Sequence, residues 1–141
     1  MATENEALVR RFFEEMCNAR RLDVADEILS ADHEYVDPHS PPADRGPDGM
    51  KAIVSIYQDE LDGHWQVEET ISAGDRVTVR WVGSGVHKSD LMGVPATGRP
   101  VRVDAISVFR IENGKIAQHI CLWDTLTLLQ QIGAVPEPAV A

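Results

Sequence analysis

The chain of 141 residues has few basic residues and no long hydrophobic run at its start. Lysine and arginine total 13 against 23 aspartates and glutamates, which gives a formal net charge of -10. Such a charge repels the phosphates that supply most nucleic-acid affinity, so we expect no nucleic-acid partner. The opening residues, MATENEALVRR, match neither a signal peptide nor a membrane span. We therefore expect a cytoplasmic protein without membrane binding.

Cysteine and metal-binding motifs are also scarce. The chain has two cysteines, Cys17 and Cys121, which lie far apart in patterned segments. Nothing marks them as a disulfide framework, so we expect two reduced thiols. HExxH and other metal-binding spacings are absent from the five histidines, which are His33, His39, His64, His87 and His119. We expect no bound metal.

The size and composition are those of an ordinary globular domain. Hydrophobic residues make up 43% of the chain and charged residues 26%, which is enough for a core without disulfides. The sequence has no internal repeat and no low-complexity tract. We expect one domain over residues 1–135, followed by a flexible tail at residues 136–141, where two prolines stand among small apolar residues.

The first half of the chain is dominated by helical periodicity. Two apolar sets with four-residue spacing predict an amphipathic helix over residues 4–19, and a shorter helical stretch follows at residues 22–29. Residues 33–37 read as a strand that is stopped by Pro38. A second long helix is predicted from Pro47, which suits a first helical turn, to Leu61.

The second half alternates between apolar and polar residues, as strands do. This alternation predicts antiparallel strands at residues 65–71, 77–81, 101–111 and 115–123, with turns at Gly74-Asp75 and Asn113-Gly114. Asp124 is placed to cap a last short helix over residues 125–132, which ends at Gly133. Because helices come first and a meander of strands follows, the predicted class is α+β.

The order of elements and three motifs resemble the SnoaL-like polyketide cyclases of the nuclear transport factor 2-like superfamily. The motifs are MGVPATGRPV before the long strand, FRIENGKI at the hairpin and WDTLTLLQQIG at the end. The resemblance covers nearly the whole chain. It implies a cone-like roll in which a strongly curved, mixed, mainly antiparallel sheet packs against three N-terminal helices, with a short C-terminal helix. It also implies a homodimer.

The resemblance further implies an apolar pocket for a small apolar or polycyclic organic molecule. The expected chemistry is proton transfer next to a carbonyl, without metal or organic cofactor, that isomerises or cyclises a polyketide-like substrate by intramolecular aldol condensation. Two alternatives stay open: a non-catalytic small-ligand-binding or assembly protein, and an epoxide hydrolase. Arg102 and Asp104 are similar to the arginine–aspartate pairs of the hydrolases, but they suit a surface or interface ion pair better.

Proton transfer needs a general base and a donor for the developing enolate oxygen. Asp37 resembles the catalytic aspartate of the ketosteroid isomerases in this superfamily and is our candidate base. The same Asp before Pro could equally end a strand in a turn. The isomerase oxyanion donors would fall at Phe13, which has no hydroxyl, and at Ser107, which has one.

The last strand departs from the cyclase pattern. In the cyclases an acid/base aspartate lies four residues beyond a segment that here reads Gly-Lys-Ile-Ala, and that position is Cys121. Cys121 reads either as an inert buried thiol or as a nucleophile activated by His119 on the same strand face. Asp124 is better explained as the helix cap. The candidate catalytic residues are therefore Asp37, His119 and Cys121.

Seven residues are candidates for substrate binding, because aromatic side chains stack on flat ligands and a few polar groups orient them. They are Tyr35, Trp65, Trp81, Met92, Ser107, Phe109 and Trp123. The aromatic members of this set could equally belong to the core.

Overall fold

The computed structural model describes residues 2–137 and confirms the mixed α+β class. The helices are α1 (Ala2–Arg11), α2 (Ala25–Ile28), α3 (Pro47–Leu61) and α4 (Thr125–Gln131). The strands are β1 (Leu29–Val36), β2 (His64–Ala73), β3 (Arg76–Val86), β4 (Pro100–Glu112) and β5 (Lys115–Trp123). Residues 138–141 of the expected tail lie outside the described residues. Within residues 2–137, no helix is long and apolar enough to cross a membrane.

The five strands form one open sheet in the order β1-β5-β4-β3-β2. β1 runs parallel to β5, and the other neighbours are antiparallel, so the sheet is mixed and mainly antiparallel as expected. The register shifts at Glu68 of β2, which has no partner in β3, and at Ala117 of β5, which lies opposite the step from Arg110 to Ile111 in β4. Extra residues of this kind bend a strand and increase its twist, which favours a sheet curved around the helices.

The first predicted helix is present, but its geometry changes midway. α1 ends at Arg11, and a π-helical segment continues from Phe12 to Asn18. In this segment the main-chain N–H of Ala19 reaches back to the carbonyl of Glu14 at 2.9 Å. Wide turns leave carbonyls short of partners, and Gln58 Nε2 of α3 donates to two of them, on Met16 (3.2 Å) and Cys17 (2.9 Å).

Asn18 fastens the end of this helical segment to the start of β2. Its Nδ2 donates to the carbonyl of Trp65 at 2.7 Å, and its Oδ1 accepts from the main-chain N–H of Trp65 at 2.8 Å. These two hydrogen bonds resemble the pairing between neighbouring strands, and they hold the main chain of Trp65 against the helical segment. The sequence pattern contains no signal for this clamp.

The predicted boundaries around β1 are shifted. Helical geometry is limited to a 3-10 turn at Leu22–Val24 and to α2, because Leu29 already has extended dihedral angles (φ -101°, ψ 143°). β1 therefore begins four residues earlier than expected, and it ends before Asp37. The early start buries Leu29 and His33 against the helices. Asp37 consequently lies in the turn that follows the strand.

Asp124 caps α4 as expected. Its Oδ1 accepts the main-chain N–H of Thr127 at 3.1 Å, and its Oδ2 accepts the Thr127 hydroxyl at 2.5 Å. These bonds stabilise the ionised carboxyl and lower the pKa of Asp124. At the other end of α4, Gly133 has a φ of 81°, the left-handed conformation that commonly follows a helix.

Replacing Asp124 with Ala should lower the free energy of unfolding by about 1 kcal/mol, because the first turn of α4 loses its acceptor. Asp124→Asn keeps a side-chain oxygen and serves as the matched control. Urea unfolding of the wild type and both variants measures the difference. An Ala variant as stable as the wild type would contradict the capping role.

Candidate functional site

An apolar cavity of about 70 Å³ lies between α3 and the sheet. Phe12 of the π-helical segment, Ile53 of α3 and the tryptophans Trp65 and Trp81 form much of its apolar wall. Polar side chains line it from β1, its following turn, β5 and α3, and His64 of β2 and Ser84 of β3 add two more. They include Tyr35, Asp37, Tyr57, His119 and Cys121. The fold thus brings all three candidate catalytic residues to one cavity.

The carboxylate of Asp37 accepts four hydrogen bonds. Its Oδ2 accepts from the Tyr35 hydroxyl at 2.8 Å, the Ser40 hydroxyl at 2.6 Å and Trp123 Nε1 at 3.1 Å. Its Oδ1 accepts the main-chain N–H of His39 at 2.9 Å, which closes the turn. The two interpretations of Asp37 are therefore compatible, since one oxygen shapes the turn while the residue also lines the cavity.

Ser40 connects this carboxylate to α3, because its Oγ lies 2.6 Å from the Tyr57 hydroxyl. Burial raises the pKa of Tyr57 to about 12 and the pKa of Tyr35 well above its ordinary value. Both phenols consequently keep their protons at neutral pH and act as donors. The sequence prediction missed Ser40 and Tyr57 as site residues. Tyr57 was visible only as one apolar position on the buried face of a helix.

His119 belongs to a second polar group in the same wall. Its Nε2 lies 2.8 Å from Ser107 Oγ, which also accepts a hydrogen bond from Trp81 Nε1 at 2.9 Å. The imidazole stacks on Phe109 with 4.1 Å between ring centroids. His119 is 3% exposed, and among residues 2–137 its Nδ1 has no hydrogen-bond partner. Burial holds the pKa of His119 well below its ordinary value, so the ring is neutral.

A second buried histidine, His33 of β1, affects His119. Burial lowers the pKa of His33 to about 4, although Asp32 and Glu34 oppose the shift. Proximity of the two rings lowers the pKa of His119 further. Over the described range 2–137, no group of three or more His, Cys, Asp or Glu side chains is arranged to hold a metal ion.

Cys121 is 2% exposed and lines the cavity. Burial raises the pKa of its thiol to about 11, the carboxylate of Asp37 adds to the rise, and the hydroxyls of Ser107 and Tyr35 oppose it. The thiol is therefore protonated at neutral pH. A nucleophilic thiolate would need a free base beside it, but Nε2 of His119 is engaged with Ser107. The geometry favours an inert thiol.

The remaining candidates fall into two groups. Tyr35, Trp65, Trp81 and Trp123 line the cavity, whereas Ser107 and Phe109 are buried and contact His119 instead.

The structure does not bring Met92 to the cavity, which corrects the expectation for this residue. Met92 has a φ of 51° in the loop between β3 and β4, and its side chain is 44% exposed. Met92 and Gly93 form the left-handed turn between Leu91 and Val94, which bond to each other, and Leu91 is the residue of this turn that is buried. Arg102 and Asp104 likewise do not form an ion pair with each other in the described part of the chain.

Comparison with known proteins identifies the class of this fold and cavity. The sequence profile of the SnoaL-like polyketide cyclases matches residues 7–132. The aklanonic acid methyl ester cyclase DauD of Streptomyces sp. (strain C5) is 34% identical over 132 residues, which cover 89% of this chain and 80% of that protein. The chain belongs to the SnoaL-like polyketide cyclase family.

Two further relatives support the same family assignment. The aklanonic acid methyl ester cyclase DnrD of Streptomyces peucetius is 33% identical over 132 residues, which cover 89% of this chain and 88% of that protein. The structure of TsrD from Streptomyces laurentii superimposes with a TM-score of 0.85 at 27% identity, over 96% of this chain and 98% of that one. The likeness therefore extends over almost the whole domain.

Replacing Cys121 with Asp should destabilise the protein, because the change places a carboxyl at a position that is 2% exposed and close to the Asp37 carboxylate. At pH 8 we expect the free energy of unfolding to fall by about 3 kcal/mol relative to Cys121→Ser, the matched control. The loss should be smaller at pH 5. A carboxyl with a raised pKa in the folded state holds its proton there, so its penalty grows as pH rises.

Urea unfolding of both Cys121 variants at the two pH values provides the measurement. If Cys121→Asp were as stable as Cys121→Ser at pH 8, the wall at Cys121 would be hydrated rather than apolar.

Proposed function

We propose that the protein catalyses cofactor-free intramolecular aldol cyclisation of a neutral, polyketide-like carbonyl compound, with Asp37 as the base. The main support is the position of the Asp37 carboxylate, which lines an apolar cavity together with two neutral phenols and a neutral imidazole. A carboxylate in such surroundings can take a proton from carbon, and the neutral donors can stabilise the enolate.

The charges around the cavity support a neutral substrate. None of the described residues that line it is Lys or Arg, and Asp37 contributes a negative charge. An anionic carboxylic acid would enter without a partner and would be repelled, whereas its ester would not. The relatives described as aklanonic acid methyl ester cyclases are consistent with this class of compound.

The cavity volume of about 70 Å³ is small for a polycyclic ligand. Pockets that enclose drug-sized molecules usually measure about 300–1,000 Å³. Binding therefore requires the walls to move apart.

The proposed reaction starts when Asp37 takes a proton from the carbon next to a carbonyl, and the electron pair of that C–H bond forms the enolate. The enolate carbon attacks a second carbonyl carbon of the same molecule, which closes the ring and leaves an alkoxide. Ser107 Oγ accepts from Trp81 Nε1 and lies within hydrogen-bond distance of His119 Nε2, so it holds the imidazole in place in the cavity wall. His119 then orients the carbonyl or stabilises the enolate, while the single hydrogen of Tyr35 keeps the Asp37 carboxylate in position.

Replacing Asp37 with Asn should reduce turnover by at least about 100-fold, because the amide cannot accept the proton. The assay follows ring closure of aklanonic acid methyl ester by chromatography, with the free acid tested in parallel and expected to be a poorer substrate. Asp124→Asn, which changes a carboxylate outside the cavity, is the control. Wild-type rates from Asp37→Asn would rule out this base.

A second candidate function is non-catalytic binding of the same class of compound. It is favoured by Cys121, whose protonated thiol stands where the resemblance implies an acid/base aspartate. The same assay separates the two functions. Ligand-induced stabilisation of the wild type without any ring closure would support the binding protein.

The outer face of the sheet gives a basis for the expected homodimer. Ile106 and Leu122 are neighbours across β4 and β5, and their side chains are 51% and 60% exposed. We propose that a second copy of the chain covers this apolar face. Light scattering should report about twice 15.6 kDa for the wild type and a lower mass for the double variant Ile106→Glu, Leu122→Glu. A monomeric wild type at micromolar concentration would refute the dimer.

A further inference from the structure

Three oxygen-bearing side chains form a continuous chain from the cavity wall at α3 to Asp37. The Tyr57 hydroxyl lies 2.6 Å from Ser40 Oγ, and Ser40 Oγ lies 2.6 Å from Asp37 Oδ2. These are short distances for hydrogen bonds between oxygens. The chain joins two elements that are distant in sequence, α3 and the turn after β1, at the polar side of the cavity.

The direction of each hydrogen bond follows from counting hydrogens. An ionised Asp37 can only accept, so the single Ser40 hydrogen points to Oδ2. Ser40 must then accept from Tyr57, because its own hydrogen is already used. In the resting state both hydroxyls therefore point toward the carboxylate. Once Asp37 takes a proton, the same two hydroxyls can reverse and donate toward the cavity.

Asp37 is poorly placed to return that proton by itself. Its Oδ2 also accepts from Tyr35 and Trp123, and its Oδ1 is bound to the main chain of His39. Four hydrogen bonds hold the carboxyl in place, while the aldol reaction loses a proton at carbon and gains one at a different atom, the new alkoxide. A second proton-delivery point on the cavity wall would remove the need for Asp37 to move.

The Tyr57 hydroxyl has the properties of such a delivery point. Tyr57 lines the cavity, and its ring is held edge-on against Trp123 with centroids 6.1 Å apart. The group is a neutral phenol at neutral pH, and burial raises its pKa further, to about 12. A phenol donates readily to an alkoxide, which is the stronger base of the two.

We propose that Tyr57 is a catalytic residue that protonates the new alkoxide, and that Ser40 is a positioning residue that passes to Tyr57 the proton taken by Asp37. This inference rests on the proposed function. Protonated Asp37 donates to Ser40, Ser40 donates to Tyr57, and Tyr57 donates to the alkoxide. One proton has then left carbon and one has reached oxygen. Asp37 is again a carboxylate, and both hydroxyls have regained a hydrogen.

The test measures the two halves of the reaction separately in one assay. Aklanonic acid methyl ester is incubated in D2O with the full-length protein. Mass spectrometry reports deuterium at the α-carbon, which requires Asp37 to take the proton, exchange it with D2O and return a deuteron to carbon, and ring closure, which requires protonation of the alkoxide. The variants are Ser40→Ala, Ser40→Thr and Tyr57→Phe. Ser55→Ala on α3 is the matched control, since among residues 2–137 its hydroxyl donates to the carbonyl of Ala52 in the same helix.

We expect the ratio of ring closure to deuterium exchange to fall at least about tenfold in Ser40→Ala and Tyr57→Phe. Ser40→Thr, which keeps a hydroxyl, should restore most of the ratio. A merely structural role for Ser40 would misplace Asp37 and reduce both halves together, and that result would overturn the relay. Unaltered ratios in both variants would overturn it as well, with the proposed function intact.

Loss of both exchange and closure in the wild type itself would refute the proposed function, and the relay with it.

Discussion

The carboxylate of Asp37 and its four donors are the constraint on which the site depends. A charged oxygen at the edge of an apolar cavity is costly unless hydrogen bonds replace the water that it loses. Here the replacements come from three elements: Tyr35 of β1, Trp123 of β5, and the turn that contains His39 and Ser40. The same bonds fasten β1 to β5 beyond the last rung of their parallel ladder. The four hydrogen bonds to Asp37 therefore both stabilise the junction of β1 and β5 and fix the position of the candidate base.

The other polar groups of the cavity wall are neutral, and they too replace lost water with hydrogen bonds to one another. Ser107 joins the buried ring nitrogens of Trp81 and His119, and burial keeps the imidazole uncharged. Neutral donors next to a single carboxylate suit a reaction in which charge develops on substrate oxygen, since the surroundings add no competing cation. Family membership and this arrangement are consistent with each other. Among the described residues that line the cavity, Asp37 is the one carboxylate, and Cys121 is a buried thiol.

The sequence predicted most of the fold because periodicity reports burial directly. The long α3, the hairpin at Asn113-Gly114, the strand over Lys115–Trp123 and the Asp124 cap were all readable, since each depends on residues close in the chain. Boundaries near Leu29 and the π-helical change after Arg11 were not readable, because packing against distant residues decides them. Met92 was wrongly expected at the cavity for a related reason. It lies in a left-handed turn, and turns carry no hydrophobic periodicity that reports where a side chain is buried.

The sequence by itself determined the class of the protein, the elements and the candidates Asp37, His119 and Cys121. Only the tertiary structure decided how these residues are used. It placed Ser40 and Tyr57 beside Asp37, joined His119 to Ser107, and buried Cys121, which raises the pKa of its thiol to about 11. The physical reason is that hydrogen-bond distances and desolvation arise between segments far apart in the chain, where no local pattern records which side chains meet.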